Sequence, residues 1–180
     1  GALDYKRLFG AVGKNLTGGF GSQGASTLTQ QVVKRAFLSE EKSIGRKAQE
    51  AYLSYRLEQE YSKDEIFQMY LNKIYYSDGV YGVKAAAKYY FDKDLKDLNL
   101  AEKAYLAGLP QVPNLYNIYD NPKQAESRKD TVLYLMHYHH RITDKEWKDA
   151  KKISLEDNLV KRSTKERQIG TNNEDSEYDS

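Results

Sequence analysis

The sequence lacks cysteine, has only three prolines among its 180 residues, and contains no apolar run of about 18 to 20 residues. The absence of cysteine excludes disulfide frameworks, thiolate metal sites and cysteine nucleophiles. The absence of a long apolar run excludes a membrane-spanning helix within the printed sequence. No charged segment followed by an apolar core opens the chain, so no export signal is expected within these residues.

An excess of charge of either sign is also missing. The 28 Lys and Arg residues stand against 26 Asp and Glu residues, which gives a formal net charge of +2. This charge is too small to indicate sequence-independent binding of nucleic acid, so no such partner is expected and a basic site must come from a local cluster. Hydrophobic residues make up 39% of the sequence, enough for one core in a chain of ordinary domain length.

Helical patterns recur along the chain, whereas the alternating pattern of strands is hard to find, so a mainly α fold is predicted. Two segments of the form Ser/Thr-x-x-Glu, which begin at Ser62 and Thr143, predict capping boxes. Asn121 is expected to cap a further helix that has Pro122 in its first turn. Helices are predicted at residues 3–16, 26–38, 43–60, from 62, 82–91, 99–109, 121–139 and from 143.

Two stretches interrupt this helical pattern. Residues 17–24 read Thr-Gly-Gly-Phe-Gly-Ser-Gln-Gly, and so many glycines predict a mobile loop. From about residue 156 the chain becomes polar and charged without periodicity. We therefore expect a folded domain at residues 1–155 and a polar linker at residues 156–180.

One candidate phosphate site begins at Gly24. Residues 24–34 place hydroxyl groups and backbone amides at a predicted helix start, with Gln31 and Lys34 one turn apart. A helix N-terminus with a nearby lysine binds phosphate readily. The alternative is an ordinary helix cap followed by a solvated lysine.

A candidate carboxylate lies in the next predicted helix. Glu50 shares a helical stripe with Leu53 and Leu57, so it is expected to be either paired or functional. The alternative is an exposed ion pair with Arg46, one turn earlier. Arg46 and Lys47 are adjacent cations that would share a pyrophosphate with the lysine of the preceding helix if the two helices pack together.

Three histidines, at positions 137, 139 and 140, are the only ones in the sequence. Adjacent positions point in different directions on a helix, and no acidic residue has a convincing ligand spacing. The three are therefore expected to be structural or solvated, and no metal site is assigned from spacing.

The residues from Gly24 read Gly-Ala-Ser-Thr-Leu-Thr-Gln-Gln-Val-Val-Lys and resemble a signature of the peptidoglycan glycosyltransferases. Four further blocks follow in the family's order, at residues 46–58, 63–72, 82–91 and 100–113. Over about 140 residues the chain is similar to the family 51 type glycosyltransferase domain of bifunctional, class A penicillin-binding proteins of Gram-positive type. The resemblance implies a mainly α, lysozyme-like fold with a mobile glycine-rich loop and a membrane-proximal jaw.

The resemblance also implies an activity. The family polymerises lipid II into β-1,4 glycan strands of peptidoglycan by inverting transfer from a glycan linked to polyprenyl pyrophosphate. The implied partners are these lipid-linked sugars, the membrane surface and phosphoglycolipid inhibitors. The implied location is the extracytoplasmic face of the bacterial cell membrane, with an anchoring helix upstream. A divalent cation, Mg²⁺ or Mn²⁺, is a further expectation.

Site residues follow from the resemblance position by position. The residues that match the family's donor pyrophosphate site are Thr27, Gln31, Lys34, Arg46 and Lys47. Glu50 matches an essential carboxylate, which orients the pyrophosphate or its cation or steadies the transition state. Tyr75 and Arg128 match contributors to the cleft.

The sequence departs from the family at two points. The family's first motif, Glu-Asp-x-x-Phe-x-x-His, would lie just before Gly1, and its glutamate is the expected general base. This polypeptide alone is therefore expected to bind poorly and to turn over little or nothing. Arg35 stands where many relatives have asparagine. The apolar candidates for the jaw are Leu8, Phe9, Leu16 and Phe20.

Two other functions remain open. A lytic enzyme of the same broad fold would cut glycan with a carboxylic acid. A non-catalytic helical interaction module would do no chemistry at all. The predicted cluster of cations separates these functions from a polymerase, because neither has a pyrophosphate to bind.

Overall fold

The computed structural model describes residues 30, 33, 34 and 44–167. Six α-helices lie within residues 44–151: α1 Ile44–Glu60, α2 Lys63–Lys73, α3 Val83–Phe91, α4 Leu100–Gly108, α5 Pro122–Tyr138 and α6 Asp144–Lys151. Residues 164–167 are also helical. Three short 3-10 helices, Leu95–Asp97, Leu109–Gln111 and Leu155–Asp157, lie between or after the six α-helices. The described residues contain no β-strand, only an isolated antiparallel bridge between Tyr75 and Tyr81. The predicted mainly α fold is therefore confirmed.

The predicted helix positions agree with α1 to α6 to within one or two residues. Residues 30, 33 and 34 are helical, as predicted for the helix that precedes α1. The predicted first helix, the glycine-rich loop and the jaw candidates lie outside the described residues. Of the helices that the structure describes, none combines the length and the apolar character needed to cross a bilayer.

Both predicted capping boxes are confirmed. At the start of α2, the amide of Glu65 donates to Ser62 Oγ at 3.2 Å, and the amide of Ser62 donates to Glu65 Oε1 at 3.4 Å. At the start of α6, the reciprocal bonds of Thr143 and Glu146 measure 3.1 and 3.0 Å. Each box satisfies two backbone amides that the helix leaves without partners.

A third capping box, at the start of α4, was not predicted. Asn99 and Glu102 exchange two hydrogen bonds of 2.9 Å, and Glu102 also accepts a bond of 2.8 Å from Lys93. As predicted, Asn121 is the N-cap residue of α5 and Pro122 lies in the first turn. The Asn121 side chain, however, makes no cap hydrogen bond and donates instead to the carbonyl of Asn114 at 3.3 Å.

Helix α4 lies at the centre of the core and contacts α3, α5 and α6. Seven of its nine residues are buried. Its last residue, Gly108, allows α5 to approach closely, since a Cβ atom there would lie 2.9 Å from both Arg128 Cγ and Val132 Cγ2. The largest fully buried side chains of the core are Tyr76, Tyr90, Tyr105, Ile66, Leu106, Leu109, Ile118, Leu133 and Met136.

After its last 3-10 helix the chain folds back over the domain. We refer to residues 158–167 as the returning segment. The amide of Val160 donates to the carbonyl of Tyr90 at 2.9 Å, and the Arg162 guanidinium lies 4.0 Å from the Tyr89 ring centroid and donates to the Tyr89 carbonyl at 2.8 Å. The segment thus contacts the domain as far as residue 167. The predicted division at residue 155 and the role of residues 156–180 as a linker stay predictions.

Candidate functional site

Helix α1 carries a buried carboxylate. Glu50 is 3% exposed, and its Oε1 lies 2.9 Å from Nζ of Lys47, whose side chain is 55% exposed. One turn on, Ser54 Oγ donates to the Glu50 carbonyl at 2.6 Å. As predicted, the apolar side chain of Leu57 on the same stripe packs against the core. This burial does not fit the alternative of an exposed pair, and a buried carboxylate is stable only when it is paired.

The other predicted donor-site residues are only partly described. Lys34 is helical and exposed. Nη1 of Arg46 lies 3.4 Å from Oε1 of Gln49 on the same helix. Thr27 and Gln31 fall outside the described residues. Their places in the site stay predictions. The expected proximity of Lys34 to Arg46 and Lys47 of α1 also stays a prediction.

Tyr75 lies in a tight turn between α2 and α3, residues 74–82, which we refer to as the Tyr75 loop. The amide of Gly82 donates to the carbonyl of Ile74 at 2.8 Å and closes the loop. The Tyr75 hydroxyl accepts a hydrogen bond from the amide of Gly79 at 3.3 Å, and its ring centroid lies 4.8 Å from that of Tyr81. The position of Tyr75 therefore depends on the conformation of the loop tip.

The tip of the Tyr75 loop has an unfavourable backbone. Ser77, Asp78 and Gly79 all have positive φ, at 67°, 52° and 72°. Residues other than glycine cost free energy in this region, so the neighbouring structure must hold them there. Part of that support comes from Ser77 Oγ, which donates to Asn114 Oδ1 at 3.0 Å and accepts from Asn117 Nδ2 at 3.0 Å.

Asp78 is the centre of a polar network. Its carboxylate accepts from the Tyr89 hydroxyl at 2.6 Å, from Asn117 Nδ2 at 2.9 Å and from Arg167 Nε and Nη2 at 2.8 and 3.0 Å. Burial and the bond to Asp78 raise the pKa of the Tyr89 hydroxyl, which therefore stays protonated as a donor. Arg167 also donates two bonds of 2.8 Å to Asp120, and these lower the pKa of the Asp120 carboxyl.

Arg128 is buried between α4 and α5. Its Nε donates to the carbonyl of Gly108 at 2.8 Å, and its guanidinium lies 4.8 Å from the Tyr116 ring centroid. Burial lowers the pKa of this guanidinium. A cation at the C-terminus of α4 also interacts favourably with the helix dipole. Arg128 thus joins two core helices, and its predicted contribution to the cleft stays a prediction.

One of the three histidines, His137, has structural surroundings, and His140 is exposed. The His137 and Trp147 rings stack with centroids 4.2 Å apart and planes at 7°, and His137 Nε2 lies 3.1 Å from Asp144 Oδ1. Among the described residues, no group of three or more His, Cys, Asp or Glu side chains would hold a metal ion. Glu50 with its lysine partner does not make such a site by itself, so Mg²⁺ or Mn²⁺ dependence stays a prediction.

Sequence reasoning did not identify Asp78 or Arg167. The Ser-Asp-Gly sequence at residues 77–79 would have indicated a turn, because serine, aspartate and glycine all favour turns. No local signal connects that turn to an arginine 89 residues further along the chain.

Known proteins resemble this chain in sequence and in fold. A family model described as Transglycosylase matches residues 1–137. Penicillin-binding protein 1A/1B of Bacillus subtilis (strain 168) is 45% identical over 171 residues, which cover 94% of this chain and 19% of that protein. Penicillin-binding protein 1A of Streptococcus oralis is 44% identical over 160 residues, which cover 87% of this chain and 25% of that protein. This chain therefore spans a quarter or less of either relative's length.

A solved structure is also similar. The crystal structure of penicillin-binding protein 1A from Haemophilus influenzae superposes with a TM-score of 0.52 and 32% sequence identity, over 74% of this chain and 17% of that one. The resemblance inferred from the sequence is thus confirmed by the family model, by relatives and by fold. The chain belongs to the transglycosylase family and is a transglycosylase domain similar to those of the 1A-type penicillin-binding proteins.

Proposed function

We propose that the protein containing this chain polymerises lipid II into β-1,4 glycan strands by inverting transfer from a donor linked to polyprenyl pyrophosphate. The observation that carries the proposal is the buried Glu50 with its ion pair to Lys47, in a chain of the transglycosylase family. A carboxylate that the fold buries is unfavourable unless it is paired or used in chemistry.

The reaction needs two kinds of group. A base takes the proton from the acceptor 4-hydroxyl, and cations stabilise the charge that develops on the leaving pyrophosphate. In this proposal the base is the glutamate of the family's first motif, and the cations are Lys34, Arg46 and Lys47. Glu50 fixes the Lys47 ammonium at 2.9 Å, so that its charge is already in place when the pyrophosphate leaves.

The proposal extends to partners and location. The substrates are lipid-linked sugars, so the enzyme works at a membrane surface on the extracytoplasmic side and binds phosphoglycolipid inhibitors that mimic the donor. Thr27 and Gln31 complete the donor site, and Tyr75 and Arg128 contribute to the cleft. Mg²⁺ or Mn²⁺ would supply further positive charge at the pyrophosphate. These statements rest on the family's chemistry and on the matching residues.

Binding is the first test. Calorimetry would titrate a lipid pyrophosphate analogue, and separately a phosphoglycolipid inhibitor, into the intact protein and its Lys34→Ala variant. We expect saturable binding that is lost in the variant, because a cation of the donor site is removed. Lys84→Ala removes an exposed lysine of α3 and serves as the matched control, with binding unchanged. Equal binding by all three proteins would contradict the donor site.

Turnover is the second test. In the intact protein, Glu50→Gln should lower strand elongation from labelled lipid II about 10²–10³-fold while leaving the helical content unchanged. A lytic enzyme would instead shorten preformed strands, and a non-catalytic module would do neither. Elongation by Glu50→Gln at the wild-type rate would show that the site is wrongly assigned.

A further inference from the structure

We propose that Arg167 is a positioning residue for the Tyr75 loop, through its ion pair with Asp78. The inference rests on the proposed function, since it is there that Tyr75 contributes to the cleft. It adds a residue of the returning segment, beyond the residues 1–137 that the family model matches, to the groups that shape the site.

The tip of the Tyr75 loop needs support from other parts of the chain. Three successive residues, 77–79, have positive φ, and two of them are not glycine. Such a backbone persists only where surrounding contacts over-determine it. The side-chain contacts described for Ser77 and Asp78 come from other elements: Asn114, Asn117, Tyr89 and Arg167.

Among the four described side chains that support the loop tip, Arg167 is the only cation. Its contact with Asp78 has a specific geometry. Its side chain is 16% exposed and that of Asp78 is 9% exposed, so water screens the pair little. Two nitrogens of the guanidinium meet the two oxygens of Asp78, which fixes orientation as well as distance. Asp120 holds the same guanidinium from the other side, and the Tyr119 ring centroid lies 5.2 Å from it.

The ion pair of Arg167 with Asp78 is connected to the predicted site residue Tyr75 through the backbone of Gly79. Gly79 follows Asp78 directly in the chain, and the Gly79 amide donates to the Tyr75 hydroxyl. A displaced Asp78 therefore moves the amide that orients Tyr75. The returning segment thus acts on the site through Asp78 and does not itself touch the reacting groups.

Three variants of the intact protein test this role in the lipid II assay. Arg167→Ala should lower kcat about tenfold, because small displacements in a site cost rate steeply. Arg167→Lys keeps the charge but loses the two-pronged contact, and should recover part of the rate. Asp120→Asn removes the ion pair on the other side of the Arg167 guanidinium without changing a residue of the loop, and should keep most of the rate. Lys165→Ala, an exposed position of the returning segment, is the unchanged control.

Hydrogen exchange at the Gly79 amide gives a second measurement. Arg167→Ala should speed exchange at Gly79 while exchange in α4 stays at the wild-type rate. A wild-type kcat in Arg167→Ala, or equal losses in Arg167→Ala and Asp120→Asn, overturns the proposal. If Arg167→Ala fails to fold, a wild-type kcat in Arg167→Lys overturns it and a reduced kcat with faster Gly79 exchange supports it. Glu50→Gln in the same assay distinguishes a failure of this inference from a failure of the proposed function. Full activity of Glu50→Gln would overturn the proposed site itself.

Discussion

Helices α1 and α4 use their buried positions in opposite ways. Of the nine residues of α4, seven are buried, and all but Glu102 are alanine, leucine, tyrosine or glycine. Of the 17 residues of α1, only Glu50 and Ser54 are buried, and both are polar. A buried apolar side chain stabilises the fold, whereas a buried carboxylate at best offsets its own desolvation. Helix α4 thus contributes apolar burial to the core, whereas α1 buries the carboxylate on which the proposed function depends.

The comparison predicts opposite effects of mutation. Changes in α4 should lower the free energy of unfolding and leave the activity of each folded molecule intact. Changes at the buried positions of α1 should lower activity and leave stability intact or raised, since functional groups are often not the most stable choice.

The largest effect is expected for Leu106→Ala in α4. Leu106 is fully buried, so the variant loses apolar burial and leaves a cavity, at a cost of about 2–5 kcal/mol in the free energy of unfolding. Urea unfolding followed by circular dichroism measures it. Leu115→Ala, at a side chain 44% exposed, is the matched control and should cost much less. Equal costs at the two positions would contradict the central place of α4 in the core.

Glu50→Gln in α1 should show the reverse pattern. We expect strand elongation to fall about 10²–10³-fold, as when one preorganised electrostatic group is lost from a site. The free energy of unfolding should stay the same or rise, because glutamine at a 3% exposed position carries no charge to desolvate. A variant that unfolds as readily as Leu106→Ala but keeps its rate would break the comparison.

The same substitution should have opposite signs at two glycines. Gly108→Ala in α4 places a methyl group 2.9 Å from Arg128 and Val132, and overpacking of this kind costs about 1–3 kcal/mol. Gly45→Ala, at an exposed position of α1, should stabilise by up to about 1 kcal/mol, because glycine is a poor helix former. Thermal unfolding of the two variants decides the point, and stabilisation by both would show that the contact of α4 with α5 is loose.

The smallest effect concerns acid and the returning segment. The bonds from Arg167 lower the pKa of the Asp120 carboxyl in the folded protein. Its contribution to stability is therefore complete above the ordinary aspartate pKa of about 3.9, and is lost as the pH falls through the lower folded-state value. Because Asp120 is half exposed, wild type and Asp120→Asn should differ by only tenths of a kcal/mol at pH 6. The difference should vanish at strongly acidic pH, and a difference that grew with acid would contradict the pairing.

The parts of the fold that the sequence predicted are those specified within a few residues. The capping boxes at Ser62 and Thr143 use residues three positions apart, so their chemistry is visible in the sequence. The box at Asn99 has the same spacing but asparagine as its cap, so it lacks the Ser/Thr-x-x-Glu form. The apolar stripe indicated that Glu50 is paired or functional but left an exposed pair with Arg46 open, and its burial is known only from the structure.

The remaining features depend on distant parts of the chain. The side chain of Asn121 donates to Asn114 because of how the intervening turn folds, which no cap pattern contains. The ion pair of Asp78 with Arg167 joins residues 89 positions apart. The roles assigned to the donor-site residues came from family resemblance, and neither periodicity nor spacing would have supplied them.

The stack of Trp147 on His137 has a spectroscopic consequence. The sequence contains one tryptophan, so the indole emission of this chain reports a single place, the contact of α6 with α5. Separation of the two rings changes the surroundings of that one fluorophore, which acts as an intrinsic probe that needs no label. In Arg167→Ala, tryptophan emission that stays at the wild-type value while the Gly79 amide exchanges faster would show that the Tyr75 loop opens while α5 and α6 remain packed together.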